Sequence, residues 1–267
     1  MKKYISFFWL RLMTCLQYRA SYVSGVVTQL PWGLMECFAY MTLHESRSGT
    51  FPMELSSVVA YIWLKEAYFM LLTTWNADND IFDSILTGGI SYEMCRPLSI
   101  YDMWFARCAG GRLATIASRS MPILVVALLL PQPFRLVLPG CAARLGLFVL
   151  SLLLGAAITI AFCMIIYLLC FFTISPRGVR RLFMSMSDLL SGGLIPLPFF
   201  PQPWRGVIEL LPFASMQNTP FLIYSGELAG TAAIKAIGLQ LVWAVVLIAV
   251  GKTVCALAQR HVTVQGG

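Results

Sequence analysis

The sequence predicts an all-α integral membrane protein, and three observations carry the prediction. Hydrophobic residues make up 58% of the 267 and charged residues only 12%. The mean hydropathy is +0.77. The apolar residues are also gathered into successive stretches long enough to cross a bilayer. A soluble domain is about half apolar and a quarter charged, so this chain has more apolar surface than a water-soluble fold can hide. Its polar stretches are too short for a second domain, and residues 1–267 read as one membrane domain.

The N-terminal stretch Tyr4 to Tyr18 comes first. It does not read as a cleavable signal, because Arg11 interrupts the apolar run and no small-residue cleavage site precedes Arg19. It predicts a helix in the membrane surface, with Phe7, Phe8, Trp9, Leu12 and Met13 toward acyl chains and Lys3, Arg11 and Arg19 near headgroups. A cytosolic extension of the first span is the other reading.

A spanning helix needs about 20 apolar residues. Six stretches qualify: 20–43, 55–75, 103–130, 142–175, 182–200 and 229–255. The fourth is long enough to tilt or to extend beyond the bilayer. With the N-terminus inside, twelve Lys and Arg residues collect at one side against four on the other, which places both termini in the cytoplasm. The net charge of +7 is thereby explained by orientation, and nucleic acid is excluded as a partner. Of the eight cysteines, Cys37, Cys163, Cys170 and Cys255 sit inside apolar runs. No C-x-x-C spacing suggests a zinc site, so they read as small core hydrophobes and no metal or cofactor is expected.

Two connections are more than loops. Residues 76–102 carry Asp78, Asp80, Asp83, Glu93 and Asp102 around Ile81, Phe82, Ile85 and Leu86. That spacing predicts a short amphipathic helix able to dock on another protein, or else a solvated linker. Residues 201–226 are external and too apolar for a free loop. They predict a helical hairpin dipping back into the outer leaflet, with its backbone shielded by protein.

Ionisable residues inside spans are costly, and four occur: Glu36, Lys65, Glu66 and Arg119. Counted from the outer span ends at 1.5 Å per residue, Glu36, Lys65 and Arg119 lie roughly 10 to 17 Å deep. They are expected to meet in one layer, Glu36 and Glu66 neutralising Lys65 and Arg119. Such a cluster either fixes helix association or contacts a polar part of a substrate.

At this point the residues resemble a known family, the permease subunits of type-two ATP-binding-cassette transporters, in its six-span bacterial branch. The resemblance rests on the order of elements and on several strings. These are Thr87-Gly88-Gly89-Ile90 with Arg96-Pro97-Leu98, Ser191-Gly192-Gly193-Leu194-Ile195-Pro196-Leu197 with Phe200-Pro201, Leu211-Pro212-Phe213, Pro220, Gln240 and Val264-Gln265-Gly266-Gly267. It implies an exporter in a bacterial plasma (inner) membrane, a second permease, identical or paralogous, and separate cytoplasmic ATPase subunits holding ATP and magnesium. Asp80, Phe82, Asp83, Leu86, Glu93 and Arg96 would then couple to the ATPase. Gly192, Gly193 and Pro196 would let the fifth span bend at a gate. The resemblance points to an antibiotic, a peptide or a lipid as cargo.

Two strings mislead. Leu190-Ser191-Gly192-Gly193 and Gly251-Lys252-Thr253 echo nucleotide-binding motifs, yet both lie in apolar spans, and Val246 stands where a phosphate loop has its first glycine. An enzyme is disfavoured because the only histidines, His44 and His261, lie in polar flanks. A proton-coupled secondary transporter using the buried Glu, Lys and Arg residues is the alternative.

Overall fold

A computed structural model describes residues 2–17, 19–46, 51–173 and 176–261. Among these residues the chain is all helical and has no strand. Twelve α-helices follow in order among them: α1 (Lys2–Gln17), α2 (Arg19–Ser46), α3 (Leu55–Leu72), α4 (Asn79–Leu86), α5 (Ile90–Met94), α6 (Ile100–Thr115), α7 (Met121–Leu129), α8 (Ala142–Leu169), α9 (Pro176–Leu190), α10 (Trp204–Leu210), α11 (Asn218–Ser225) and α12 (Gly230–His261). A π-turn, Ile116–Ser120, joins α6 to α7, and 3-10 turns occupy Cys170–Phe172 and Leu197–Phe199. Arg47, the end of the expected fourth span at residues 174–175 and the string Val264 to Gly267 lie outside the described residues.

Among the described residues, four stretches are long and apolar enough to cross a membrane: Leu55–Leu72, Ile100–Leu129, Ala142–Phe172 and Gly230–Gln259. The 28-residue α2 has the length, but Gln29, Pro31, Glu36 and its hydroxyl residues keep it out of that apolar set. Residues 182–200, expected as one span, are helical only as far as Leu190.

At the centre stands α3, buried without interruption from Ser57 to Tyr68. Around it α2, α6, α7, α8 and α11 close a core in which Trp63 is fully buried and donates its indole N–H to the Phe134 carbonyl at 2.7 Å. A second apolar cluster, between α4, α6, α8 and α12, surrounds Ile81, Trp104 and Tyr167.

The last carbonyls of a helix have no partner within it and must find one elsewhere when buried. At the end of α3 and along the turn after it, the chief such partner is Arg112 of α6, while the Asn76 amide serves Met70 and the Thr159 hydroxyl serves Leu72. The Arg112 guanidinium, only 3% exposed, donates to the carbonyls of Leu71 at 2.8 Å, Thr73 at 2.7 Å and Asn76 at 3.1 Å. The backbone N–H of Asp78 then donates to the Tyr167 hydroxyl at 2.6 Å, so the chain from α3 to α4 is held at each step.

The stop after α9 has a backbone cause. Gly192 sits at φ +85°, and the N–H of Gly193 returns to the Asp188 carbonyl at 3.0 Å, the six-to-one bond of a glycine-terminated helix. Tyr61 of α3 donates its hydroxyl to the Gly192 carbonyl at 3.1 Å. A Cβ at Gly192 would overlap that hydroxyl. The glycine pair ends a helix here, whereas the sequence suggested a bend within a continuous span.

Beyond it, α10 is largely exposed, while residues 214–224 are buried throughout. The backbone before α11 is not helical, and Gln240 of α12 supplies partners from the side. Its amide donates to the carbonyls of Ser215 at 2.8 Å and Ser151 at 3.1 Å, and its oxygen accepts from the Ser151 hydroxyl at 2.8 Å.

Helix α1 runs along α6. The Phe8 backbone approaches Gly110 so closely that a Cβ there would collide with it, and the N–H of Ser99 donates to the Tyr4 hydroxyl at 3.1 Å. Phe7, Phe8 and Leu12 are therefore partly buried, contrary to the expected lipid-facing set. Trp9 and Met13 are exposed as expected, and Ile5 and Leu10 join them on the exposed apolar face in place of the other three.

Three outcomes are expected. Arg112→Met strands buried carbonyls and should cost roughly 3 kcal/mol, read as a lower unfolding temperature in detergent. Gly192→Ala should cost about 1 to 2 kcal/mol because alanine resists this backbone conformation. Gly206→Ala in the exposed α10, where nothing lies within 4 Å of an added Cβ, should cost nothing in the same measurement.

Candidate functional site

Helix α4 forms where the apolar spacing expected it. Asp78 caps its start, accepting the N–H of Asp80 at 3.1 Å, while Ile81 and Phe82 turn inward. A ring of cations holds its N-terminal end. Arg107 of α6 pairs with Asp78 at 2.8 Å and also with Asp80, and Arg11 of α1 reaches Asp78 at 3.3 Å. From α9, Arg180 donates to the Asn79 side chain at 2.8 Å and places its guanidinium 4.6 Å from the Phe82 ring centre. Negative charge at a helix N-terminus is favourable, and here it also attracts basic residues of three other helices.

Of the six residues singled out for coupling, the structure turns three outward: Asp83, Leu86 and Arg96. Asp80 is exposed but already paired. Phe82 is a core residue, 5% exposed and packed edge-on against Tyr167. Glu93 accepts the Trp104 indole N–H at 2.6 Å and so fixes α5 to α6. Tyr92, 81% exposed, joins Leu86 on the open face and was not singled out in the sequence. An exposed tyrosine on a five-residue helix has no periodic neighbour to flag it.

The intramembrane cluster is assembled from three of its four expected members. Lys65 of α3 pairs with both carboxylate oxygens of Glu36 on α2, and with Glu66 at 3.3 Å. Glu66 and Lys65 are buried, and Glu36 is partly so. Arg119 does not take part: it lies in the π-turn against Gly25 and Tyr22 of α2, nearer the α4 end of the molecule. The triad carries two carboxylates and one ammonium, so it ties α2 to α3 and remains polar inside an apolar wall.

The expected gate residues meet a polar seat built by three elements. Tyr61, Gly192, Gly193 and Asn218 converge, with the Tyr61 hydroxyl 3.3 Å from the Asn218 side-chain oxygen. Pro196 precedes the 3-10 turn at Leu197–Phe199. Sequence reasoning missed Tyr61 and Asn218, because a polar residue in an apolar stretch gives no sign of its partner 157 positions away. At the end opposite α4, an open hollow of about 640 Å³ is lined by His44, Glu54, Arg144 and Glu227 among others.

A family model described as ABC-2 family transporter protein matches residues 53–266. No curated protein and no solved structure matches the chain. The matched residues take in all four membrane-length helices, the docked amphipathic α4 and the glycine-terminated α9. The chain belongs to the ABC-2 family of transporter membrane proteins, of which it is a multi-pass member.

Proposed function

We propose that this chain is the permease subunit of an exporter in a bacterial inner membrane, driven by ATP hydrolysed with magnesium in separate cytoplasmic subunits. The observation that carries the reading is α4. A short amphipathic helix is locked by its acidic start to three other helices and still turns Asp83 and Leu86 outward, with Tyr92 of α5 and Arg96 after it exposed alongside. An ATPase pressing there moves α4 together with the end of α3, since Arg112 and Tyr167 join the two. The chain itself hydrolyses nothing and binds no cofactor.

In this arrangement both termini and α4 are cytoplasmic, and the chain crosses six times. The crossings are α2, α3, α6 with α7, α8, the broken path from α9 through Leu197–Phe199, and α12. Residues 201–226 form the external re-entrant hairpin. A second permease, identical or paralogous, completes the path, and the surrounding lipids meet the exposed apolar faces of α1 and α12. Gly192, Gly193 and Pro196 act as a pivot between α9 and the hairpin. The Glu36, Lys65 and Glu66 triad guards the path, and an amphipathic or hydrophobic compound is the cargo.

That same triad is the observation favouring a second reading, a proton-coupled secondary transporter, because buried carboxylates beside a lysine can relay protons. The two differ in whether an ATPase is needed.

Purification of the tagged chain from its native membrane in mild detergent should bring an ATPase with it. Leu86→Asp should weaken that association at least about tenfold, the scale of losing an interface anchor, without lowering the unfolding temperature. Transport that persists without any ATPase would favour the secondary transporter. Glu36→Lys sets two cations against each other in the membrane and should abolish both stable expression and transport; retention of both would remove any role for the triad.

A further inference from the structure

A cavity of about 310 Å³ opens beside the start of α4, between α1, α2 and α6. Four arginines line it, Arg11, Arg107, Arg112 and Arg119, against two aspartates, Asp78 and Asp80. The lining therefore carries two positive charges that no carboxylate of its own balances. Arg11 and Arg107 are held by the aspartates, and Arg112 by the carbonyls at the end of α3. Arg119 differs. It is only 8% exposed, yet among the described residues it has no hydrogen bond and no ion pair.

The fold makes room for this guanidinium. It projects from the π-turn Ile116–Ser120, a local widening of the helix that is frequent at functional sites. Gly25 of α2 lies against it so closely that any Cβ would overlap the guanidinium carbon. An arginine within a membrane span is expensive, and one left without an anion more so. A guanidinium also presents a planar fork of donors that matches an oxyanion in bidentate fashion.

We propose that Arg119 is the anchoring cation of an oxyanion site whose ligand is a phosphate group, free in solution or borne by an amphiphile. Two surplus charges suit a phosphate, and the volume suits a headgroup while leaving acyl chains outside. Arg11 and Arg107 define the mouth of the site at the level of α4, and Tyr22 lines the wall beside Arg119. The inference concerns binding alone and stands whether or not transport is driven by ATP.

Binding is read on the purified chain in a neutral detergent, by the rise in unfolding temperature on titration with inorganic phosphate or with short-chain phosphatidic acid. Wild type should show a saturable rise with at least one of the two. Arg119→Gln should bind about tenfold to a hundredfold more weakly, the fold-change expected from losing a charge-assisted hydrogen bond. Arg119→Lys should lose less, and Arg135→Gln, at an exposed position, should bind as wild type does. A rise with phosphate alone identifies a free-anion site; a rise only with phosphatidic acid identifies a headgroup site. Equal half-saturation in wild type and Arg119→Gln, or no rise with either probe, overturns the proposal. Should Arg119→Gln fail to fold, phenylglyoxal labelling of wild type decides, with mass spectrometry as readout. The probe that binds should slow modification of Arg119 and leave Arg135 unaffected, and an unchanged rate at Arg119 overturns the proposal.

Discussion

The junction between α3 and α4 depends on one buried cation. The end of α3 is surrounded by protein, where water cannot satisfy its carbonyls, and leaving several unpaired would cost more than most single contacts contribute. Arg112 supplies donors to the Leu71 carbonyl of α3 and to those of Thr73 and Asn76 just beyond it, all from one planar group. A lysine in the same place has a flexible stem and a point charge, and could not span carbonyls of residues 71, 73 and 76 at once. The consequence is mechanical as well as energetic. The turn from α3 to α4 has no slack, because Tyr167 holds the next N–H and Arg107 the next carboxylate.

The opposite problem arises in the buried stretch before α11. There the backbone leaves helical geometry inside the protein, which an apolar environment tolerates only when side chains replace the missing helical bonds. Gln240 of α12, itself held in place by Ser151 of α8, does so for the Ser215 carbonyl, and Tyr61 closes the other side by binding the Gly192 carbonyl. Tyr61 belongs to the same helix whose far end Arg112 caps. Helix α3 is thus fastened at one end to the α4 junction and near the other to the turn after α9, and both fastenings are polar bonds inside an apolar core.

How much of this the sequence revealed follows from what kind of information each feature needs. The amphipathic α4 was legible because its pattern is local: Ile81, Phe82 and Ile85 recur at helical spacing behind an acidic cap. The depth count brought Glu36 and Lys65 together, since two residues at one height on adjacent helices can reach each other. The same count failed for Arg119. A depth count assumes that the span ends share one height, whereas Arg119 sits beside Gly25, eleven positions before Glu36 on α2 and so about 16 Å nearer the α4 end at 1.5 Å per residue. The α1 face was misjudged for another reason. Phe7 and Phe8 are as apolar as Trp9, and only the close approach of α6 at Gly110 decides which of them meets a neighbour. Residues 182–200 looked continuous because Gly192 and Gly193 are compatible with an apolar span, whereas a positive φ is a property of the folded backbone alone.

The ionic arrangement also divides the chain into three levels with different tolerance for change. Around α4 the pairs of Arg11 and Arg107 with Asp78 and Asp80 are redundant, each aspartate being served by two arginines. In the triad between α2 and α3 there is no redundancy: Lys65 alone stands between two carboxylates, so its loss would leave like charges facing each other in a protein interior that screens them poorly. Arg119 stands apart: among the described residues it has no hydrogen bond and no ion pair, and three further arginines line its cavity against two aspartates. A transporter has reason to keep such a gradation. Losing one arginine at α4 leaves each aspartate paired, losing Lys65 leaves two carboxylates facing each other, and Arg119, under the binding proposal above, keeps its donors for an oxyanion.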